Sequence, residues 1–534
     1  MIHKRNYLLS VCSGFFLSLP WLQAGLGWIL FFAFVPLLWA EDEIVNQRKE
    51  NNTSLLFSVA LPAFLIWNAL STWSLAYVSL AGMLLYISIN ALLMGVVWWL
   101  RHLFHRQFGS QSVFFLLPVF WLTLEFLQHN WLIQMPWLTL GNGFANAVKI
   151  IQWYEFTGVL GGSLWILVSN MLIFSLIKTL KNRQYLKSAK FAAYTLFMIL
   201  IPLFWSLALY SSYEEKGANQ SVLILQPNVD PYTEKFSGIS PGDQVKRLVS
   251  LAGSNLTDST DLILAPETAL PEMWEDSIHL QNHCLDSFSA IFLKYPEVKM
   301  IAGAMTLRKF GKDENHSETA RQSADGSYWY DIHNSALLFD RTSEIQICHK
   351  SILVSGVEKI PFQKYFSFLE KFAIRIGGTS GSLGAAREPV LFKGKDDVKI
   401  GPVICFESAF GEHCGKLVRR GANVLVVITN DGWWKDSPGT WQHFGYSRLR
   451  AIETRRSIAR SANTGISGFI NQRGDVMKKT RLNTIATLGS SIRLNDTVTF
   501  YTRNGDWPGR LSVLLSAMVA VYLFLKIKGK KNPH

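Results

Sequence analysis

Residues 398–410 read Val-Lys-Ile-Gly-Pro-Val-Ile-Cys-Phe-Glu-Ser-Ala-Phe. The β-branched run of Ile400, Val403 and Ile404 predicts a buried strand that delivers Cys405 at its end, with Glu407 two residues on. A thiol at such a strand-to-helix turn suits a nucleophile, although a free cysteine also packs as a small hydrophobe. Two upstream runs end in the same manner. Asp261-Leu-Ile-Leu-Ala-Pro-Glu267 closes on a carboxylate, and Glu344-Ile-Gln-Ile-Cys-His-Lys350 closes on a cation. Each alone reads as an ordinary loop charge. From Ser221 onward, short β-branched runs alternate with polar, helix-compatible stretches, which predicts an α/β unit.

The rest of the chain has a different character. It is 534 residues long, with only 17% charged residues, 19 Trp and 35 Phe. Its mean hydropathy is +0.16. That balance predicts membrane spans rather than a wholly soluble protein. Seven apolar runs are expected to span, at about 7–20, 24–40, 54–74, 79–100, 112–130, 159–177 and 191–210, with an eighth at 508–525. Lys4-Arg5 precede the first run, but no small-x-small cleavage site followed by soluble sequence appears, so it is expected to be a retained span.

The formal net charge of +13 follows this pattern. Segments 1–6, 41–53, 101–110, 178–190 and 526–534 hold 15 basic residues against four acidic ones, leaving +2 for everything else. Threading the spans with the amino terminus in the cytoplasm puts all five segments inside, as the positive-inside rule requires. The basicity is therefore a topology signal and not a nucleic-acid surface. The expected organisation is a transmembrane bundle over 1–211, an outer domain over 212–507, and a final span with a basic cytoplasmic tail over 508–534. Within the bundle, Glu125 is expected to face the interior, since a carboxylate in lipid is costly. The outer link 131–158, with Trp131, Trp137 and Trp153, reads as an interfacial belt or as the lining of a headgroup site. The five cysteines are scattered and none has C-x2-C spacing, so neither a disulfide framework nor a metal cluster is expected, and no cofactor is implied.

The ordered triplet Glu267, Lys350, Cys405 resembles the Glu-Lys-Cys triad of the nitrilase, or carbon–nitrogen hydrolase, superfamily over about residues 220–490. Seven spans before such a domain and one after it resemble one branch, the bacterial apolipoprotein N-acyltransferases. The supporting motifs run in order: Gln226-Pro-Asn-Val-Asp-Pro-Tyr, Pro266-Glu-Thr, His349-Lys350, Cys405-Phe-Glu407, Asn430-Asp-Gly-Trp-Trp434 and Trp441-Gln-His-Phe444. Arg450-Ala-Ile-Glu453, Arg460-Ser-Ala-Asn-Thr-Gly465 and Arg503-Asn-Gly-Asp-Trp-Pro508 complete the set. Where the branch usually carries Pro-Phe-Gly-Glu after the lysine, this chain has Val354-Ser-Gly-Val-Glu358, with the glutamate at the expected offset.

The resemblance implies a multi-span helical bundle carrying an αββα sandwich. It implies Cys405 as nucleophile, Glu267 as proton acceptor and Lys350 as oxyanion stabiliser. The backbone N–H of Phe406 would be a second oxyanion donor, with Glu358 and Glu407 in support. The implied reaction passes an acyl chain from a membrane phospholipid, through a cysteine thioester, to the α-amino group of a diacylglyceryl apolipoprotein. The implied setting is the bacterial inner membrane, with the catalytic domain facing the periplasm. His443 is expected to be a structural hydrogen-bonder, since the triad leaves it no vacant role. Residues 360–372 alternate Phe with Lys and Glu, as an interfacial arm or a core-packed helix would, and the glycine-rich 377–384 reads as a flexible connection. Two rivals remain: a membrane-tethered amidase that uses water as second nucleophile, and a receptor or transporter whose outer domain only binds. Few ionisable residues lie in the spans, which disfavours an ion-coupled transporter.

Overall fold

The computed structural model describes residues 2–47, 53–108, 113–235, 238–278, 283–342, 344–360 and 382–531. Apart from Ile360, the expected amphipathic arm at 360–372 lies outside them, as does the glycine-rich connection before Ser382. The chain divides into two compact units, one formed by residues 1–76, 80–212 and 504–534, the other by 77–79 and 213–503.

The first unit is helical: α1 (Ile2–Leu22), α2 (Val35–Gln47), α3 (Thr53–Thr72), α4 (Leu80–Phe108), α5 (Val113–Asn130), α6 (Tyr154–Lys181) and α7 (Tyr185–Ser212), with a last helix at Trp507–Lys531. Among the described residues, five segments are long and apolar enough to cross a membrane: Ser54–Tyr77, Leu80–Leu103, Tyr154–Lys181, Tyr185–Ser212 and Trp507–Lys526. The span expected at 24–40 is not one helix. A 3-10 turn at Gly27–Phe31 gives way to α2 at Val35. Gly25 (φ +92°) and Pro36 break the run. Asn170 of α6 then satisfies the freed backbone, donating to Leu30 O at 2.6 Å and accepting from Phe34 N–H at 2.8 Å. Irregular backbone of this kind survives in an apolar setting only where protein supplies its partners.

Glu125 faces the interior as expected. Its Oε1 accepts from Leu140 N–H at 2.8 Å and from the Trp121 indole at 3.0 Å. In the tryptophan-rich link Met135, Leu138, Leu140, Phe144 and Trp153 are buried, while Trp131 and Trp137 are half-buried. Trp153 packs edge-on against Trp165 with ring centroids 5.5 Å apart.

The second unit is an αββα sandwich. Its strands are β1 (Asn219–Gln226), β2 (Leu262–Leu264), β3 (Met273–Trp274), β4 (Lys299–Lys309), β5 (Arg321–Gln322), β6 (Trp329–Phe339) and β7 (Gln346–His349). They continue as β8 (Phe392–Lys393), β9 (Lys399–Ile404), β10 (Val424–Thr429), β11 (Ile458–Ala462), β12 (Gly468–Ile470), β13 (Val476–Lys479) and β14 (Ala486–Arg493). The helices named between them are α8 (Pro241–Gly253), α9 (Gly411–Arg419) and α10 (Pro438–Thr454). One sheet runs β14-β1-β2-β4-β6-β5, with β3 on β4 and β7 on β6, and the other runs β13-β12-β11-β10-β9-β8.

Period-2 alternation assigns the faces. Val222 and Ile224 of β1, Leu262 and Leu264 of β2, Ile400 and Ile404 of β9, and Val424, Val426 and Ile428 of β10 meet in the core between the sheets. Leu223, Leu225, Ile263 and Met300 point the other way, under Val245 and Leu248 of α8. Val403, Leu425 and Val427 do the same on the second sheet, under Leu417 of α9 and Ala451 of α10. Ser240 caps α8 by accepting from Asp243 N–H at 3.1 Å, with Pro241 opening the helix. The parallel sets β1-β2-β4 and β9-β10-β11 turn their carboxyl ends to one edge, the side of an open α/β sheet that offers ligand sites.

Candidate active site

Cys405 follows β9 directly and opens a short 3-10 turn that leads into α9. Its φ is +52°, a left-handed conformation that costs a non-glycine residue about 1–3 kcal/mol and persists only where the surroundings enforce it. The enforcement is visible. The Cys405 carbonyl accepts from the Ser408 hydroxyl at 2.8 Å and lies 3.1 Å from His443 Nε2. His443 Nδ1 lies 2.8 Å from Asp431 Oδ1, and Asp431 Oδ2 accepts from Arg460 at 2.8 Å, all fully buried. His443 therefore holds the turn through its carbonyl, the structural role expected of it. Burial comes first in setting these charges. It raises the Asp431 carboxyl, but Arg460 and His443 outweigh it and hold the acid well below its ordinary value.

Glu267 lies just beyond β2. Pro266 O accepts from Gly303 N–H at 3.0 Å, which clamps the turn onto β4. One Glu267 oxygen accepts from Asn430 N–H at 3.0 Å. The other accepts from Asn334 Nδ2 at 2.7 Å and from Lys350 Nζ at 3.3 Å. Lys350 is 1% exposed and donates at 2.8 Å to Glu358 Oε1, which also accepts from Asn334 at 2.9 Å. The Glu358 expected from sequence offset alone thus reaches the lysine despite its altered lead-in. Its second oxygen takes Val354 N–H at 2.9 Å. Glu407 ties the lysine loop to the cysteine turn, with Ser351 N–H at 2.6 Å on one oxygen and Ile404 N–H at 2.8 Å on the other.

The electrostatics separate the two ends of this network. Burial would strip Lys350 of its proton, but Glu358 and Glu267 overrule it, and the ammonium is held above its ordinary value. Burial and the Glu267 charge push the Cys405 thiol up, with Lys350 pulling only partly against them. Cys405 therefore rests as a thiol and not as a preformed thiolate. It becomes a nucleophile only if its proton has somewhere to go, and Glu267 is the carboxylate whose charge it feels first. Of the residues expected from sequence, the fold joins Glu267, Lys350 and Glu358 in one hydrogen-bonded network and ties Glu407 to the Lys350 loop, with Cys405 close enough to feel the Glu267 and Lys350 charges. Sequence reasoning missed Asn334, an amide in the middle of β6 that bridges both glutamates, because nothing in the strand's pattern marks it.

Gly303 offers a direct check on how closely Glu267 is held. A Cβ there would lie 2.6 Å from Glu267 Cα and 2.5 Å from Thr268 N. Those atoms are backbone and cannot rotate aside. Gly303→Ala is expected to cost about 1–3 kcal/mol of stability by overpacking. Turnover should fall about 10²-fold, as an ångström of misplacement costs elsewhere. Thermal unfolding and turnover of the same preparation check this; unchanged turnover would mean that the turn tolerates the shift.

Residues 13–172 match the apolipoprotein N-acyltransferase N-terminal domain, and residues 242–501 match the carbon–nitrogen hydrolase domain. An apolipoprotein N-acyltransferase of Chlorobaculum tepidum is 27% identical over 97% of this chain and 96% of its own. The Geobacter metallireducens apolipoprotein N-acyltransferase is 28% identical over 98% and 96%, and that of Thermotoga maritima is 25% identical over 99% and 95%. Two domain families in this order, and relatives aligned along nearly the full length, place the chain in the apolipoprotein N-acyltransferase family, the membrane-borne branch of the carbon–nitrogen hydrolases.

Proposed function

We propose that this chain N-acylates apolipoproteins, taking a fatty acyl group from a membrane phospholipid and passing it to the α-amino group of an S-diacylglyceryl cysteine. The observation that carries the reading is the buried network in which Lys350 and Asn334 join two glutamates beside a strained, end-of-strand cysteine. In the first half-reaction Cys405 Sγ attacks the ester carbonyl while Glu267 takes the thiol proton. Lys350 and the Phe406 N–H stabilise the oxyanion, a contribution of about 2.7–4 kcal/mol per donor in comparable sites. Collapse breaks the ester C–O bond, and Glu267 returns the proton to the leaving lysophospholipid.

In the second half the acceptor amine attacks the thioester and gives its proton to Glu267, which returns it to the departing sulfur. An α-amine has an ordinary pKa of about 7.7–8.0, so a nearby carboxylate helps generate its free base. Glu358 and Glu407 act as positioning residues, the first on Lys350 and the second on the loop that bears it. The distribution of Lys and Arg supports a bacterial inner-membrane setting with both termini cytoplasmic and the segment 212–507 in the periplasm. Residues 1–211 and 508–534 would then anchor it where both lipid substrates reside.

The test uses the full chain in proteoliposomes with phospholipid and a diacylglyceryl-cysteine peptide. N-acyl peptide and lysophospholipid should appear in equal amounts. Free fatty acid without N-acyl peptide would make the protein a hydrolase instead.

A further inference from the structure

The network around Glu267 has an imbalance of charge. The buried Glu267 and the partly buried Glu358 share one ammonium, Lys350, and one neutral amide, Asn334. Two further groups near Glu267, the Asn430 N–H and the Cys405 thiol, are not cations. Asp431, close by, is already matched by Arg460. A site that needs Glu267 ionised would have to hold a net negative charge away from water.

A second cation approaches from the other side. The loop after β1 winds around Asp230, whose Oδ1 accepts from Tyr232 N–H at 2.7 Å and whose carbonyl accepts from Lys235 N–H at 2.9 Å. Gln244 of α8 holds the loop's end through the Lys235 carbonyl at 2.9 Å. Arg247 of α8 is directed to Pro227 O at 3.2 Å and to Glu234. The Lys235 side chain instead turns inward and donates to the Thr268 hydroxyl, one residue past Glu267. Lys235, Thr268 and Glu267 line one small cavity with Pro266, Val229 and Asn463. Thr268 is itself left-handed (φ +49°), so the contact braces the turn that presents Glu267.

We propose that Lys235 is the second cation of this site, a positioning residue that keeps Glu267 ionised as the base for the Cys405 proton. This inference rests on the proposed acyl-transfer reading for the role of Glu267. Burial lowers the Lys235 ammonium to about 8, against the pull of Glu267. It therefore carries its charge across the acid range, where a general base would otherwise be lost to protonation. The sign follows directly: removing the cation raises the proton affinity of the Glu267–Cys405 pair, and the acid limb of reactivity moves to higher pH.

The test is the pH dependence of Cys405 alkylation by iodoacetamide in the full-length protein, with the modified cysteine identified by mass spectrometry. This readout needs no lipid. Acyl transfer is measured in parallel. In Lys235→Met, and in Lys235→Gln, which retains a donor for Thr268, the acid limb should rise by about one unit or more, the lower end of what an adjacent charge does to a carboxyl. Lys235→Arg should restore the limb. Thr268→Val, which removes the hydrogen bond and keeps the charge, should leave it in place. A uniform loss of rate with an unmoved limb in both neutral variants would overturn the proposal, as would a limb that moves equally in Thr268→Val. A shifted alkylation limb in a protein that transfers no acyl group would uphold Lys235 while removing the acyltransferase reading.

Discussion

Cys405→Ser should leave the sandwich folded and remove acyl transfer, by roughly the 10⁶-fold seen when the nucleophile of an acyl-transfer site is lost. The substitution changes one atom in a position whose backbone is fixed by Ser408 and His443 through the carbonyl and not through the side chain. Folding therefore has little reason to notice it. Chemistry does. Burial and the Glu267 charge already raise the thiol, and a hydroxyl is far harder to deprotonate, so the same carboxylate cannot activate it. Circular dichroism and thermal unfolding should match the parent protein, while N-acyl peptide formation falls to background. Retained turnover would remove Cys405 from the mechanism.

Lys350→Met should be damaging in two separable ways. Glu267 and Glu358 converge on one ammonium, and without it the two carboxylates, the first of them buried, share only the Asn334 amide between them. Breaking a buried ion pair from one side typically costs about 3–5 kcal/mol. The carboxylates escape that cost by taking up a proton, which removes the base, and the oxyanion loses its fixed cation. Turnover should fall by at least about 10²–10³-fold from the lost oxyanion donor alone. The double variant Lys350→Met, Glu358→Gln separates the effects. It should recover much of the stability, since one carboxylate is gone, and none of the activity. Recovery of turnover in that double variant would show that Lys350 serves only to neutralise Glu358.

How much of this was legible beforehand depends on the range of the forces involved. The αββα unit was readable because β-branched runs such as residues 400–404 and 424–429 are local and strongly patterned. The long apolar helices were readable for the same reason. The break in the run at 24–40 was not legible because hydropathy adds composition along the chain. It does not weigh Gly25 and Pro36 against a partner such as Asn170, which lies on another helix. Of the tryptophans at 131–153, whose density signals an interface, Trp153 packs internally on Trp165, a contact that composition does not show. In the site itself, Glu267, Lys350 and Cys405 stood out as chemistry-bearing residues at strand ends. Asn334 and Lys235 did not, because an amide inside a strand and a lysine in a loop acquire meaning only from what the fold brings beside them. The buried pair Asp431–Arg460 behind His443 is of the same kind.

The central claim is that Cys405 carries an acyl chain in mid-reaction, and intact-mass spectrometry of the full-length protein incubated with phospholipid alone tests it most directly. The account predicts a mass increase of one fatty acyl group, mapped to Cys405, labile to hydroxylamine and discharged when diacylglyceryl peptide is added. An acyl group found on Cys12, Cys284, Cys348 or Cys414 instead, or N-acyl peptide formed with no acyl-protein at any time during turnover, would contradict it.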